Sequence, residues 1–131
     1  MSGERLLKAL KEGRNIQCEE NVSNIVDSES FKYVLSWVPT RYEYLKPVRI
    51  FLSSQNGFNL HTLLDKCENK EPLILLVKAS GQGVFGAFVS SRIEKSGQYH
   101  GNGETFLFEL FPSFRKYGWA RTNQYFVMVG K

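Results

Sequence analysis

Two apolar runs joined by a glycine turn set the strongest limit on what this chain can fold into. Residues 73–79 read LILLVKA, residues 84–91 read VFGAFVSS, and Ser80-Gly81-Gln82-Gly83 lies between them. Glycine tolerates the positive φ of a tight turn, so the segment predicts a hairpin of two antiparallel strands. Both runs are apolar at odd and even positions alike, which predicts strands covered on both faces in the middle of a sandwich. With 131 residues, 42% of them hydrophobic and 14% aromatic, the chain has material for one core and is too apolar for disorder. No apolar run nears the roughly 20 residues of a membrane-spanning helix, and the opening MSGERLLKAL shows no secretory signal. A cytosolic setting is therefore expected.

The rest of the chain predicts short elements around that hairpin. Leu6, Leu7 and Leu10 have helical spacing and Gly13 ends it, but residues 14–30 are polar and acidic without a clear period. Residues 1–27 are expected to be a weakly structured N-terminal arm, with the compact domain at 28–131. Asp27 or Ser28 can cap a helix carrying Phe31, Val34, Leu35 and Val38, and Pro39 stops it because proline supplies no amide hydrogen. Residues 48–54, VRIFLSS, predict a strand that ends at Gln55-Asn56-Gly57. Asn59 caps an amphipathic helix with Leu60, Leu63, Leu64 and Cys67 on one face. Residues 104–110 alternate, with Phe106, Phe108 and Leu110 pointing one way, and residues 124–129, QYFVMV, predict a last strand. The predicted class is α+β, rich in β structure.

Few residues are arranged for chemistry. Cys18 and Cys67 are the two cysteines, far apart and without CxxC spacing, so free thiols are expected and neither a zinc site nor a disulfide framework is suggested. Gly81-Gln82-Gly83-Val84-Phe85-Gly86 matches GxGxxG literally, but a dinucleotide site needs a helix after the glycines and here a strand follows. His100 and Glu104 are near enough in sequence to imagine an acid and base pair, yet no nucleophile, third orienting group or metal set accompanies them. The competing reading makes Glu104 a carboxylate tied to backbone amides of the glycine loop. Residues 111–121, FPSFRKYGWAR, interleave aromatic and basic side chains. They lack the pattern of an RNA-recognition sheet, so nucleic acid is not the expected partner. Phe114, Tyr117 and Trp119 are read first as core or edge residues. Arg115, Lys116, Tyr117, Trp119 and Arg121 are the candidate binding residues, because Trp, Tyr and Arg make interface anchors. Residues 72–131 carry seven basic and three acidic side chains, whereas residues 1–71 carry ten of each, giving net +4. That surplus would suit an acidic partner or an anionic membrane met through Arg115, Lys116 and Arg121.

A set of segments in fixed order adds a family resemblance. They are residues 35–41 with Pro39-Thr40-Arg41, residues 57–63 (GFNLHTL), residues 71–78 (EPLILLVK), residues 84–90 (VFGAFVS), and Gly101-Asn102-Gly103-Glu104-Thr105 continuing into Phe106-Leu107-Phe108. Over residues 34–129 their collinear order resembles the TLDc domain family. Residues 37–42, WVPTRY, and 67–72, CENKEP, are similar to the branch in which a Rab-GAP-like TBC domain precedes TLDc. The resemblance implies a sandwich of two antiparallel sheets flanked by short helices, with no accepted catalytic centre, cofactor or metal. It implies roles in resistance to oxidative stress, in regulation of the vacuolar proton pump by direct binding and, in the TBC branch, in vesicle and endosomal traffic. Proton-pump subunits and small GTPases are thus the expected partners. The expected location is cytoplasmic, peripheral on vesicle or endolysosomal membranes, and any GTPase-activating chemistry would belong to a TBC domain of a parent protein. Asn102 stands where the family pattern Gly-Thr-Gly-Glu has threonine, keeping both glycines. TLDc domains continue beyond the QYFV-like strand, so the sandwich is expected to be incomplete at its C-terminal end and open to self-association there.

Overall fold

The computed structural model describes residues 23, 25–43, 45–57 and 59–129. Cys18 and nearly all of the expected N-terminal arm lie outside the described residues. The first helix, α1 (Ser28–Trp37), begins where the side chain of Asp27 accepts the amide of Ser30 at 2.7 Å. That bond satisfies one of the donors a helix start leaves without a partner. The helix ends at Trp37 because Val38, preceding Pro39, is held extended. A single 3-10 turn, Thr40–Tyr42, follows.

Residues 48–52 form no ladder among the described residues. Instead Asn56 Oδ1 captures the amide of Leu52 at 2.8 Å, and Ser53–Asn56 close into the one-turn helix α2. Short polar side chains that bond nearby amides compete with strand pairing in this way. The next helix, α3 (Leu60–Cys67), is capped by Asn59, whose side chain accepts from His61 N–H at 2.8 Å. Cys67 is buried and Leu63 and Leu64 are half-buried, but Leu60, in the first turn, is 64% exposed and does not join the stripe.

The expected hairpin forms between β1 (Leu73–Lys78) and β2 (Val84–Val89). Ala79 N–H meets the Gly83 carbonyl at 2.8 Å, and Gln82 N–H returns to Ala79 at 3.0 Å. The left-handed residue of the turn is Gln82, at φ 70, rather than either neighbouring glycine. With β3 (Phe106–Phe111) and β4 (Arg115–Tyr117), these strands build one four-stranded antiparallel sheet in the order β1-β2-β3-β4. In its last pairing Leu107 stands opposite Tyr117, Phe108 opposite Lys116 and Glu109 opposite Arg115. The alternation of β3 holds, with Phe106, Phe108 and Leu110 buried and Leu107 60% exposed. Leu75 and Phe85 are also exposed, so the runs predicted to be covered on both faces are covered on one along much of their length. Among the described residues, 124–129 form no strand: Val127 makes an isolated bridge with His100, and the Val129 carbonyl accepts the Gly97 amide at 2.8 Å.

The chain divides into two compact units. The first takes in the described part of Met1–Val48, with Leu76–Gly86 and Leu107–Tyr117. Its core joins Phe31, Val34, Trp37 and Val38 of the helical segment to Val84, Phe108 and Leu110 of the sheet. Trp37 and Phe108 lie 6.3 Å apart between ring centres, and Tyr33 stacks on Phe114 at 4.4 Å. The second unit takes in Arg49–Leu75, Ala87–Phe106 and Gly118–Lys131. Its core is built from Cys67, Phe88, Val89 and Phe106, with Phe88 stacked on Phe106 at 5.2 Å.

The cap of α1 has a pH signature. The Ser30 amide holds the Asp27 carboxyl below the usual carboxylate range, so the folded chain favours the charged form. Its contribution is complete above the unfolded value, near about pH 4, and fades as the pH falls through the depressed folded value. Asp27→Ala should lower stability in urea unfolding at pH 7 by about 1 kcal/mol, whereas Asp27→Asn, which keeps the acceptor, should cost little. The difference between wild type and Asp27→Ala should shrink toward pH 2.

Candidate functional site

The segment Gly101-Asn102-Gly103-Glu104-Thr105 becomes a polar knot next to the end of β2. Ser90 is buried and donates its hydroxyl to Asn102 Oδ1 at 2.7 Å, and its oxygen lies 3.1 Å from the Thr105 hydroxyl. The same Asn102 oxygen takes the amide of Glu104 at 2.9 Å, while the Asn102 carbonyl takes that of Thr105 at 3.2 Å. An asparagine side chain closes this loop because its carbonyl oxygen has two lone pairs and accepts from both groups. Gly101 has φ 100, and a Cβ there would sit 3.3 Å from Phe126 Cβ.

His100 is absorbed into the same scaffold. Its backbone exchanges both bonds with Val127, at 2.7 and 3.1 Å. Its Nε2 accepts the amide of Glu94 at 3.1 Å, and Nδ1 lies 3.4 Å from the Gln98 carbonyl. The neutral tautomer with the proton on Nδ1 fits both contacts. The two ring nitrogens are directed at backbone groups, so the ring acts as a brace for residues 94–98.

The loop supports an aromatic surface. Gly103 lies directly beneath the Trp119 ring, and a Cβ at that position would come within 2.8 Å of Cζ3. The indole Nε1–H donates to the Asn123 carbonyl at 2.8 Å, and Phe126 meets the ring edge-on at 5.4 Å. Trp119 is still 41% exposed. Arg121 sits in the left-handed region at φ 64 and carries its guanidinium 5.9 Å from the centre of the Trp119 ring. Asn123 Oδ1 takes the amide of Tyr125 at 2.9 Å, and the exposed rings of Tyr125 and Tyr99 lie 4.6 Å apart.

Of the five binding residues expected from sequence, Trp119 and Arg121 meet in the second unit. Arg115, Lys116 and Tyr117 line β4 in the first, all exposed. Phe114 packs on Tyr33 and belongs to the core reading. Sequence reasoning missed Tyr99, Asn123, Tyr125 and Phe126. The usable signal was Gly103 itself, since a glycine in a polar loop can mark a close approach by a bulky ring.

A cleft of about 320 Å³ in the second unit is lined by Leu64, Ile93 and charges of both signs. Its basic groups already face local acceptors: Lys95 pairs with Asp65 at 3.1 Å, and Arg92 reaches Asn69 Oδ1 at 3.5 Å. Cys67 is buried, and burial pushes its thiol up from the ordinary cysteine range, away from the nucleophilic thiolate. Among the described residues no group of three His, Cys, Asp or Glu side chains is placed to hold a metal ion.

Two outcomes follow from this geometry. Gly103→Ala should force the Trp119 ring out of place and lower stability by about 1–3 kcal/mol, the usual cost of overpacking. In a Trp119→Ala background the same substitution should cost far less, and a double-mutant cycle measures the difference. In Cys18→Ser, where Cys67 is the remaining thiol, iodoacetamide should label the native protein slowly and the urea-unfolded protein quickly.

The TLDc domain family matches residues 19–131. TBC1 domain family member 24 of Xenopus laevis is 34% identical over 111 residues, which span 80% of this chain and 20% of that protein. The GTPase-activating protein skywalker of Drosophila melanogaster is 39% identical over 94 residues, 65% of this chain and 16% of its own length. Oxidation resistance protein 1 of Xenopus laevis is 27% identical over 106 residues, 80% of this chain and 12% of that protein. The chain spans a fifth or less of the length of these curated relatives. The collinear segments, the glycine loop and the breadth of the match agree: the chain belongs to the TLDc domain family.

Proposed function

We propose that this chain is a non-catalytic interaction module that serves protection against oxidative damage or membrane traffic by holding protein partners. The observation that carries this reading is the use made of the glycine loop. Asn102 is held by the Ser90 hydroxyl and the Glu104 amide, the two His100 ring nitrogens face backbone groups of residues 94–98, and the loop backs Trp119 beside Arg121. Side chains of these types supply much of the energy at protein interfaces. The names of the relatives, oxidation resistance in one and GTPase activation in another, set the two settings. Following the family resemblance, vacuolar proton-pump subunits and small GTPases are the partners to try first, at the cytoplasmic face of vesicle or endolysosomal membranes. Among the described residues no helix is long and apolar enough to cross a membrane, which fits peripheral attachment. We also read the four-stranded sheet as one layer of the two-sheet sandwich the family resemblance implies. Phe85, Leu107, Phe111 and Tyr117, exposed in the first unit, mark the face a second layer would cover.

The test sets purified chain against immobilised proton-pump subunits and nucleotide-loaded small GTPases. Saturable capture of either class, with His100→Ala and Glu104→Gln altering thermal stability and no turnover, is the expected result. Failure to bind either class, together with a hydrolytic or redox activity that His100→Ala abolishes while the unfolding temperature stays put, would replace the module with an enzyme.

A further inference from the structure

We propose that the Trp119–Arg121 surface of the second unit takes an acidic segment of a partner protein, a carboxylate meeting the Arg121 guanidinium and an adjoining apolar side chain lying on Trp119. This rests on the interaction-module reading and names the partner's chemistry. Three independent features converge on it.

The first is preorganisation. Trp119 is fixed by the Asn123 carbonyl, by the edge contact with Phe126 and by the close approach of Gly103, and yet it leaves 41% of its surface in solvent. An aromatic side chain already held in place loses little rotamer freedom on binding, so more of its contact energy appears as affinity. The second is backbone strain. A non-glycine residue rarely adopts the left-handed region, and at Arg121 this backbone accompanies a guanidinium placed over the indole. Among the described residues no carboxylate is paired with Arg121. Its planar fork matches a carboxylate bidentately.

The third is charge. Beyond Glu109 the chain has no acidic residue, so no carboxylate of the stretch that carries Trp119 competes for Arg121. The complementary ligand is anionic. A membrane surface or a single-stranded nucleic acid would be gripped by several cations side by side. Within residues 118–129, a stretch that also carries Trp119, Tyr125, Phe126 and Met128, Arg121 is the sole cation. One fork-shaped cation set over the exposed Trp119 ring suits a peptide that alternates carboxylates with apolar side chains.

The experiment titrates the full chain with a fluorescein-labelled 12-residue peptide repeating Glu-Leu-Asp-Gly, in parallel with its Gln-Leu-Asn-Gly counterpart. Saturable binding to the acidic peptide, at least about tenfold weaker in Arg121→Ala as expected for a lost charged hydrogen bond, and absent for the neutral peptide, is the expected result. Arg121→Lys, which keeps the charge and loses the fork, should restore binding only in part, and both variants should unfold at the wild-type temperature. Equal binding of the neutral peptide, or an unchanged affinity in Arg121→Ala, overturns the proposal. So does displacement of the peptide by phosphatidylserine vesicles or by a 12-nucleotide oligo(dT) at lower concentration than by unlabelled peptide. If the chain captures proton-pump subunits or GTPases equally well with and without Arg121, this inference fails while the interaction-module reading stands.

Discussion

The inward row of β3 is the constraint on which the rest of the structure depends. Phe106, Phe108 and Leu110 occupy alternate positions of one strand and are buried nearly completely. Phe106 stacks with Phe88 in the second unit, and in the first unit Phe108 faces Trp37 from α1. Burying an aromatic side chain removes a large apolar area from water, and paired rings add a geometric preference to it. Because the side-chain period of a strand is two, a one-residue slip of β3 would turn this row to solvent and bring Leu107, Glu109 and Phe111 inward. The register with β4, Leu107 opposite Tyr117 and Glu109 opposite Arg115, is tied to that choice.

The glycine loop that precedes β3 owes its shape to the same anchoring. Thr105 is the residue before the strand, and its hydroxyl lies against that of Ser90, just after β2, which in turn donates to Asn102. Once that knot is tied, Gly103 has a fixed position and offers a bare backbone surface on which the Trp119 ring lies. His100, on the other flank of the loop, binds residues 94–98 and Val127. A motif with an acid, a histidine and two glycines thus serves as a mould for an aromatic surface. The buried Ser90 hydroxyl, bonded to Asn102 and set against Thr105, fixes the local conformation of the loop.

Much of the fold was legible in the residues because the signals were local. Asp27 and Asn59 cap their helices through bonds to amides two or three residues away, Pro39 excludes continuation of α1, and residues 106–110 show the period of a half-covered strand. Where short-range side-chain bonds competed with pairing, sequence reading went astray. Asn56 drew residues 53–56 into a turn of helix from a run that looked like a strand, and Asn123 captured the Tyr125 amide at the start of another. The turn between β1 and β2 was placed correctly, but its left-handed position fell to Gln82, since two glycines flanking a residue relax the chain on both sides and leave the choice to the closing bond at Ala79.

The candidate surface was only half visible before folding. Trp119 and Arg121 stand two apart in the chain and could be named from composition and spacing. Their partners could not, because Gly103, Asn123 and Phe126 reach Trp119 through close approaches that no periodicity encodes. Likewise, nothing in the pattern of His100 and Glu104 distinguished a reacting pair from a brace, since that depends on where each ring nitrogen points. Local propensity and period thus account for which segments become helix or strand and for which side of β3 is buried. What only the tertiary structure decided is the placing of Ser90 on Asn102, of Val127 against His100 and of Trp119 against Gly103, since these approaches join segments twelve or more residues apart and exist once the chain has closed upon itself.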